Sequence, residues 1–188
     1  FMETMGYATG LLFTADPYSK GLDPDDRDTV FLFGDAATVT LLERLDGRPG
    51  FVPGHFILRT LGVEGKALNN DDGFIRMNGR AIFEFAVRNV PAQIKEMLGQ
   101  AGITTEEVDL FLLHQGSRFI VEKIGQFLRL PEGKVPVKLA AYGNTVSSSI
   151  PLLLEDYMES DYETMALAGF GVGLSWASCL LHRKNGGK

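Results

Sequence analysis

The stretch DLFLLHQGSRFIVEKIGQFL, residues 109–128, changes its hydrophobic period in the middle. Leu110 to Leu113 form a continuous apolar run of strand length, and Phe119, Ile120, Ile124, Phe127 and Leu128 then recur at the spacing of one helix face. A strand feeding directly into a helix is the building unit of layered α/β folds. His114 falls at the strand's carboxyl end, where ligands and catalytic groups gather in such architectures. Position alone also fits a hydrogen-bonded structural histidine.

Outward from this stretch, strands and helices alternate. Strands are expected at Tyr7–Thr14, at TVFLF (29–33) and AATVTLLE (36–43) around a turn at Gly34-Asp35, and at HFILRTL (55–61). The polar segment 17–28 and the Gly, Asn and Asp-rich segment 62–73 read as loops, the second long enough to line a site. Asn78 caps a helix that carries Ile82, Phe85, Ala86 and Val90 on one face, is kinked at Pro91 and stops at Gly102. Thr104 to Glu107 has the capping-box pattern. After Pro131 come a short extended piece, a turn at Gly143-Asn144, a helix through Leu152 to Met158 with Pro151 in its first turn, and two strands joined by a glycine-rich bend. The class is α/β.

Composition narrows the function classes. The 188 residues are 45% hydrophobic and 22% charged, enough to bury a core, and the net charge of -6 argues against a nucleic-acid surface. One cysteine, Cys179, allows no intrachain disulfide, and no apolar run would span a bilayer, so a cytoplasmic protein without a membrane partner is the default. Phe1 precedes Met2 and the chain opens in apolar sequence, which reads as the interior of a longer protein.

Three features invite a chemical reading: His114, Asn144 in YGNT, and the glycines Gly169, Gly171 and Gly173. Asn144 also suits a left-handed turn position. The glycines precede LSWASCLL, a strand pattern, whereas phosphate cradling needs a helix amino terminus; a bend whose N–H groups face a cavity fits better. The acidic run Asp23, Asp25, Asp26, Asp28 lacks the glycine and terminal glutamate of a calcium loop. Cys179 lies in an apolar strand with no cation nearby and reads as an inert core thiol.

Taken together, FLFGDAATVTLLE, MNGRAIFEFAV, LLHQGSRFI, YGNTVSSSIP and AGFGVGLSWASCLL resemble, in order and spacing, the β-ketoacyl-acyl carrier protein synthase III enzymes of the thiolase fold. The resemblance runs along the whole chain and implies the C-terminal half of such an enzyme: 1–28 as the tail of an N-terminal half with a connecting loop, 29–188 as the C-terminal domain. It implies a Cys-His-Asn site acylated by an acyl-CoA, which then condenses with malonyl-ACP or malonyl-CoA by decarboxylation, without cofactor or metal. His114 and Asn144 match the catalytic histidine and asparagine, and the backbone N–H of Val172 matches an oxyanion-hole donor. Arg27 matches an arginine that stacks on adenine, Leu32 and Phe33 residues near the acyl pocket, and Gly79 and Phe83 residues along the pantetheine tunnel. Ser117 replaces an asparagine that bonds the pantetheine arm.

The family's cysteine would precede this chain, so an N-terminal half has to bring it, and a homodimer is the implied assembly. Phe119 stands where housekeeping members carry a carrier-docking arginine, which, with the altered loop before Met77, points to a specialised acyl donor or acceptor. Lys123, Arg129, Lys134 and Lys138 offer alternative contacts to an acidic carrier. A non-catalytic ketosynthase-like partner, and acyl transfer to oxygen or nitrogen without decarboxylation, remain open readings.

Overall fold

The computed structural model describes residues 2–70 and 73–186. A helical turn at Met2–Met5 (α1) precedes β1 (Thr9–Asp16), which pairs antiparallel with β2 (Ala36–Glu43) in a two-stranded ribbon. Between them lies a helical turn, α2 (Arg27–Val30). The chain then changes sheet at β3 (Gly50–Thr60). A 3-10 segment at Gly62–Ala67 leads to a small pair, β4 (Leu68–Asn69) and β5 (Arg76–Met77). There follow α3 (Gly79–Ala101), β6 (Leu110–Leu113), α4 (Arg118–Leu128), α5 (Leu139–Tyr142) and α6 (Ser149–Glu155). The chain closes with β7 (Thr164–Gly171) and β8 (Ser175–Lys184).

The four-stranded sheet runs β3-β8-β7-β6, with β6 parallel to β7 and the other pairs antiparallel. Strand β6 is apolar throughout because both its faces are covered. Side chains alternate across a strand, so Phe111 and Leu113 enter the larger core with Val90, Ile94, Val121 and Ile124 of α3 and α4. Leu110 and Leu112 point the other way, into a smaller core with Leu153 of α6 and Met165. The period change at 109–128 is therefore a strand clamped between two helix layers and a helix that covers one of them.

Local chemistry sets the boundaries. Asn78 Oδ1 accepts the Ala81 N–H at 3.1 Å to start α3, and Gly102 ends it in the left-handed region. Pro91 lies inside that helix, which continues past it without interruption. Glu107 accepts the Thr104 N–H at 2.8 Å, which is one half of a capping box, but only a turn follows.

Several expectations are corrected. TVFLF is not a strand: Asp26 accepts the Asp28 N–H at 3.1 Å and caps a helical turn, so Thr29 and Val30 are helical. Phe33 makes a single bridge, to Asn144, instead of joining a sheet. The first strand and the 55–61 strand lie at Thr9–Asp16 and Gly50–Thr60. Segment 62–73 is not an open loop; it carries the 3-10 turn and β4, with Asp71 and Asp72 outside the described residues. Residues 139–142 are helical, and the Leu152–Met158 helix begins earlier, at Ser149, and ends at Glu155.

One glycine is required by space. A Cβ on Gly34 would sit 2.0 Å from the Tyr142 carbonyl oxygen, a backbone atom that cannot turn aside. Gly34→Ala is expected to lower unfolding stability by about 3 kcal/mol or more, the range of severe overpacking. A urea titration within 1 kcal/mol of wild type would contradict that close approach.

Candidate active site

His114 extends the β6 ladder by one residue, its N–H donating to the Ala168 carbonyl at 2.9 Å. Two residues on, Gly116 packs against the imidazole and Phe170; a Cβ there would lie 3.5 Å from each. Ser117 then caps α4 by accepting the Ile120 N–H at 3.2 Å. Gln115 points inward and ties the site to its neighbour: its Nε2 donates to the Leu113 carbonyl at 2.9 Å and its Oε1 accepts the Lys138 N–H at 2.9 Å. That contact holds the segment leading through α5 to Asn144.

Asn144 is pinned by its backbone. Its N–H donates to the Leu32 carbonyl at 2.9 Å, and its carbonyl accepts the Gly34 N–H at 3.0 Å. Gly143 before it has φ 67° and ψ −160°, a region open essentially to glycine alone. Asn144 Oδ1 accepts the Val146 N–H at 3.0 Å, which orients the amide and leaves Nδ2 as the free donor. Val146 itself has φ 52°, an outlier for a β-branched residue. The β1–β2 ribbon holds this strained loop: Asp16 accepts from the Ser147 N–H at 3.0 Å and from its hydroxyl, and Thr14 bonds the buried Ser148 hydroxyl at 2.8 Å.

His114 and Asn144 meet at one cavity of about 400 Å³. Leu32, Phe33, Gly79, Phe83, Ser117 and Val172 line it beside His114 and Asn144. Arg27 does not; it is exposed on α2 with its guanidinium 5.7 Å from the Phe31 ring centre. Cys179 is also absent from the lining, and burial pushes its thiol up to about 11, which leaves it protonated and inert at neutral pH. Of the four basic residues offered for carrier contact, Lys134 donates to the carbonyls of Glu106 and Val108, and Lys138 pairs with Asp156.

Sequence reading missed Tyr18, Leu68, Met77, Val146, Ser149 and Phe170, which line the same cavity. Phe170 sets its ring edge-to-face with His114 at 5.0 Å, and Ser149 lies 2.7 Å from His114 Nδ1. Ser149 stands in a run of three serines, and no spacing rule says which of them faces the imidazole.

Burial among these groups pushes His114 down to about 4, while the Val146 carbonyl pulls weakly upward. The ring is thus neutral at pH 7. The depressed value also has a stability consequence, because unfolded histidine takes a proton near 6.5 while the native ring refuses it until about 4. The contribution is fully present above pH 6.5 and is lost as pH falls toward 4. Relative to His114→Gln, the wild-type urea midpoint is expected to drop over that interval; parallel midpoints would show an unshifted histidine.

The mixed β3-β8-β7-β6 sheet layered with helices is of the thiolase-like class, the fold of the solved structures it superposes on. Residues 98–183 match the model for the C terminal of 3-oxoacyl-[acyl-carrier-protein (ACP)] synthase III, and residues 1–60 match a second model described as 3-oxoacyl-[acyl-carrier-protein (ACP)] synthase III. The chain belongs to the 3-oxoacyl-ACP synthase III family. It is 40% identical to a β-ketoacyl-[acyl-carrier-protein] synthase III of Streptococcus suis over 195 residues, which cover 93% of this chain and 59% of that protein. The crystal structure of 3-oxoacyl-[acyl-carrier-protein] synthase III from Aquifex aeolicus superposes with a TM-score of 0.88 at 30% identity, covering 96% of this chain and 60% of the other. The priming β-ketosynthase of the R1128 polyketide pathway superposes with a TM-score of 0.81 at 28% identity, over 96% and 59%. The chain thus spans about three fifths of these relatives' length. Among the described residues no helix is long and apolar enough to cross a membrane.

Proposed function

We propose that this chain is the C-terminal part, with 29–188 as its domain, of an acyltransferase that joins an acyl-CoA to a malonyl thioester by decarboxylative Claisen condensation. The observation that carries this reading is the convergence of His114 and Asn144 on one largely apolar cavity. When the bond to the malonyl carboxylate breaks, carbon dioxide leaves and the electron pair moves onto the thioester oxygen. An N–H from His114 and one from Asn144 Nδ2 stabilise that enolate, and the apolar walls strengthen both bonds by excluding water. The enolate carbon then attacks the enzyme-bound acyl thioester, and the cysteine thiolate departs. The Val172 N–H serves the oxyanion of that second step.

The acylated cysteine is supplied by residues outside this chain, a reading supported by the remote, protonated Cys179. The β1–β2 ribbon supports it too, since Leu11, Phe13, Val39 and Leu41 are all more than half exposed on it. Leu32 and Phe33 face the acyl chain and Gly79, Phe83 and Ser117 the pantetheine arm, while Arg27, outside the cavity lining, keeps the adenine-stacking role that the family resemblance implies. A homodimer is the working assembly. Incubating the complete enzyme with an acyl-CoA panel and a malonyl thioester tests the reading: carbon dioxide release coupled to 3-oxoacyl product is expected. Acyl transfer without carbon dioxide release would overturn it.

A further inference from the structure

The Ser149 hydroxyl sits among three polar atoms. His114 Nδ1 lies at 2.7 Å and the Val146 carbonyl at 3.0 Å, while the Gln115 N–H approaches from 3.4 Å and can only donate. The hydroxyl has one proton to give. If it goes to Val146, Nδ1 must bring its own proton to the shared contact and Nε2 is left bare. If it goes to Nδ1, the ring's own proton resides on Nε2, the nitrogen without a protein partner among the described residues. Ser149 is 3% exposed and lines the cavity beside the imidazole.

We infer that Ser149 donates to His114 Nδ1 and acts as the positioning residue that keeps the neutral imidazole in its Nε2–H tautomer. The contact to Nδ1 is the shorter of the two, and an imidazole nitrogen is a more basic acceptor than a peptide carbonyl. Because the ring is neutral at pH 7, one nitrogen carries the only N–H, and which one decides whether the cavity meets a donor or a lone pair. Val146 is the competing acceptor. Its strained backbone takes part on both sides of the site, donating its N–H to Asn144 and offering its carbonyl to Ser149. The use of the Nε2–H as a donor to an enolate rests on the function proposed above; the tautomer itself does not.

The test needs no substrate. The chain has three histidines, so His55→Asn with His182→Gln leaves His114 as the sole labelled ring for two-bond 15N–1H correlation at pH 7. A protonated, pyrrole-type Nε2 and a pyridine-type Nδ1 are expected, with Ser149→Thr unchanged. Ser149→Ala is expected to move the proton to Nδ1, where Val146 can accept it. A pyrrole-type Nδ1 in the otherwise wild-type chain, or an alanine variant that keeps the Nε2–H form, would overturn the assignment. Should the alanine variant not fold, Ser149→Cys offers a weaker donor, and an unshifted tautomer there overturns it equally. A correct tautomer with no carbon dioxide release in the complete enzyme would remove the proposed reaction and leave this assignment standing.

Discussion

His114→Ala is expected to lower carbon dioxide release and condensation by the complete enzyme about a hundredfold to a thousandfold, with the fold retained. In the proposed reaction the substitution removes one of two donors to the enolate oxygen, worth about 2.7–4 kcal/mol in comparable sites. The fold survives because His114 faces the cavity, whereas the packing around β6 is made by Phe111 and Leu113 on one side and Leu110 and Leu112 on the other. What is lost structurally is the Ser149 contact, on the order of 1 kcal/mol. The check is a pair of measurements on one preparation, initial rate and thermal midpoint. An unchanged rate would remove the central assignment, and a collapsed midpoint would make the residue structural.

Asn144→Asp is expected to be at least as damaging while costing little stability. The exchange keeps the shape and keeps Oδ1 as acceptor for the Val146 N–H, so the loop retains its geometry. It replaces the Nδ2 donor by a carboxylate oxygen that repels the developing negative charge, adding repulsion to the loss of a donor. It also places a negative charge at the cavity that His114 lines, which would draw the ring toward its protonated form. A loss of a thousandfold or more with a midpoint within a few degrees of wild type is the expected outcome. Full activity would show that Asn144 serves only the turn after Gly143.

Much of the site could be anticipated because period and motif coincide. The strand-to-helix change places His114 on any reading, since four apolar residues followed by a 3.6-residue stripe admit few other structures. Asn78 and Gly102 mark the ends of α3 for reasons of backbone hydrogen bonding that act locally. The misreading of TVFLF has an equally local cause: a short apolar run fits strand or helix, and the Asp26 cap tips it to a turn.

Asn144 marks where local reasoning ends. Its residue type and the glycine before it announce a turn, and only the resemblance to the synthase family gave it chemistry. The facing of Asn144 and His114 depends on hydrogen bonds to Asp16, to Leu32 and Gly34, and to Gln115, which come from three different parts of the chain. Ser149 is the plainest case, 35 residues from the histidine it touches. Thus the α/β class, the strand-end histidine and the inert Cys179 follow from residue order, because period, capping and solvation act over a few residues. The lowered proton affinity of His114, the freeing of Asn144 Nδ2 and the choice of Ser149 follow from packing, because each depends on which distant groups close around a side chain and exclude water from it.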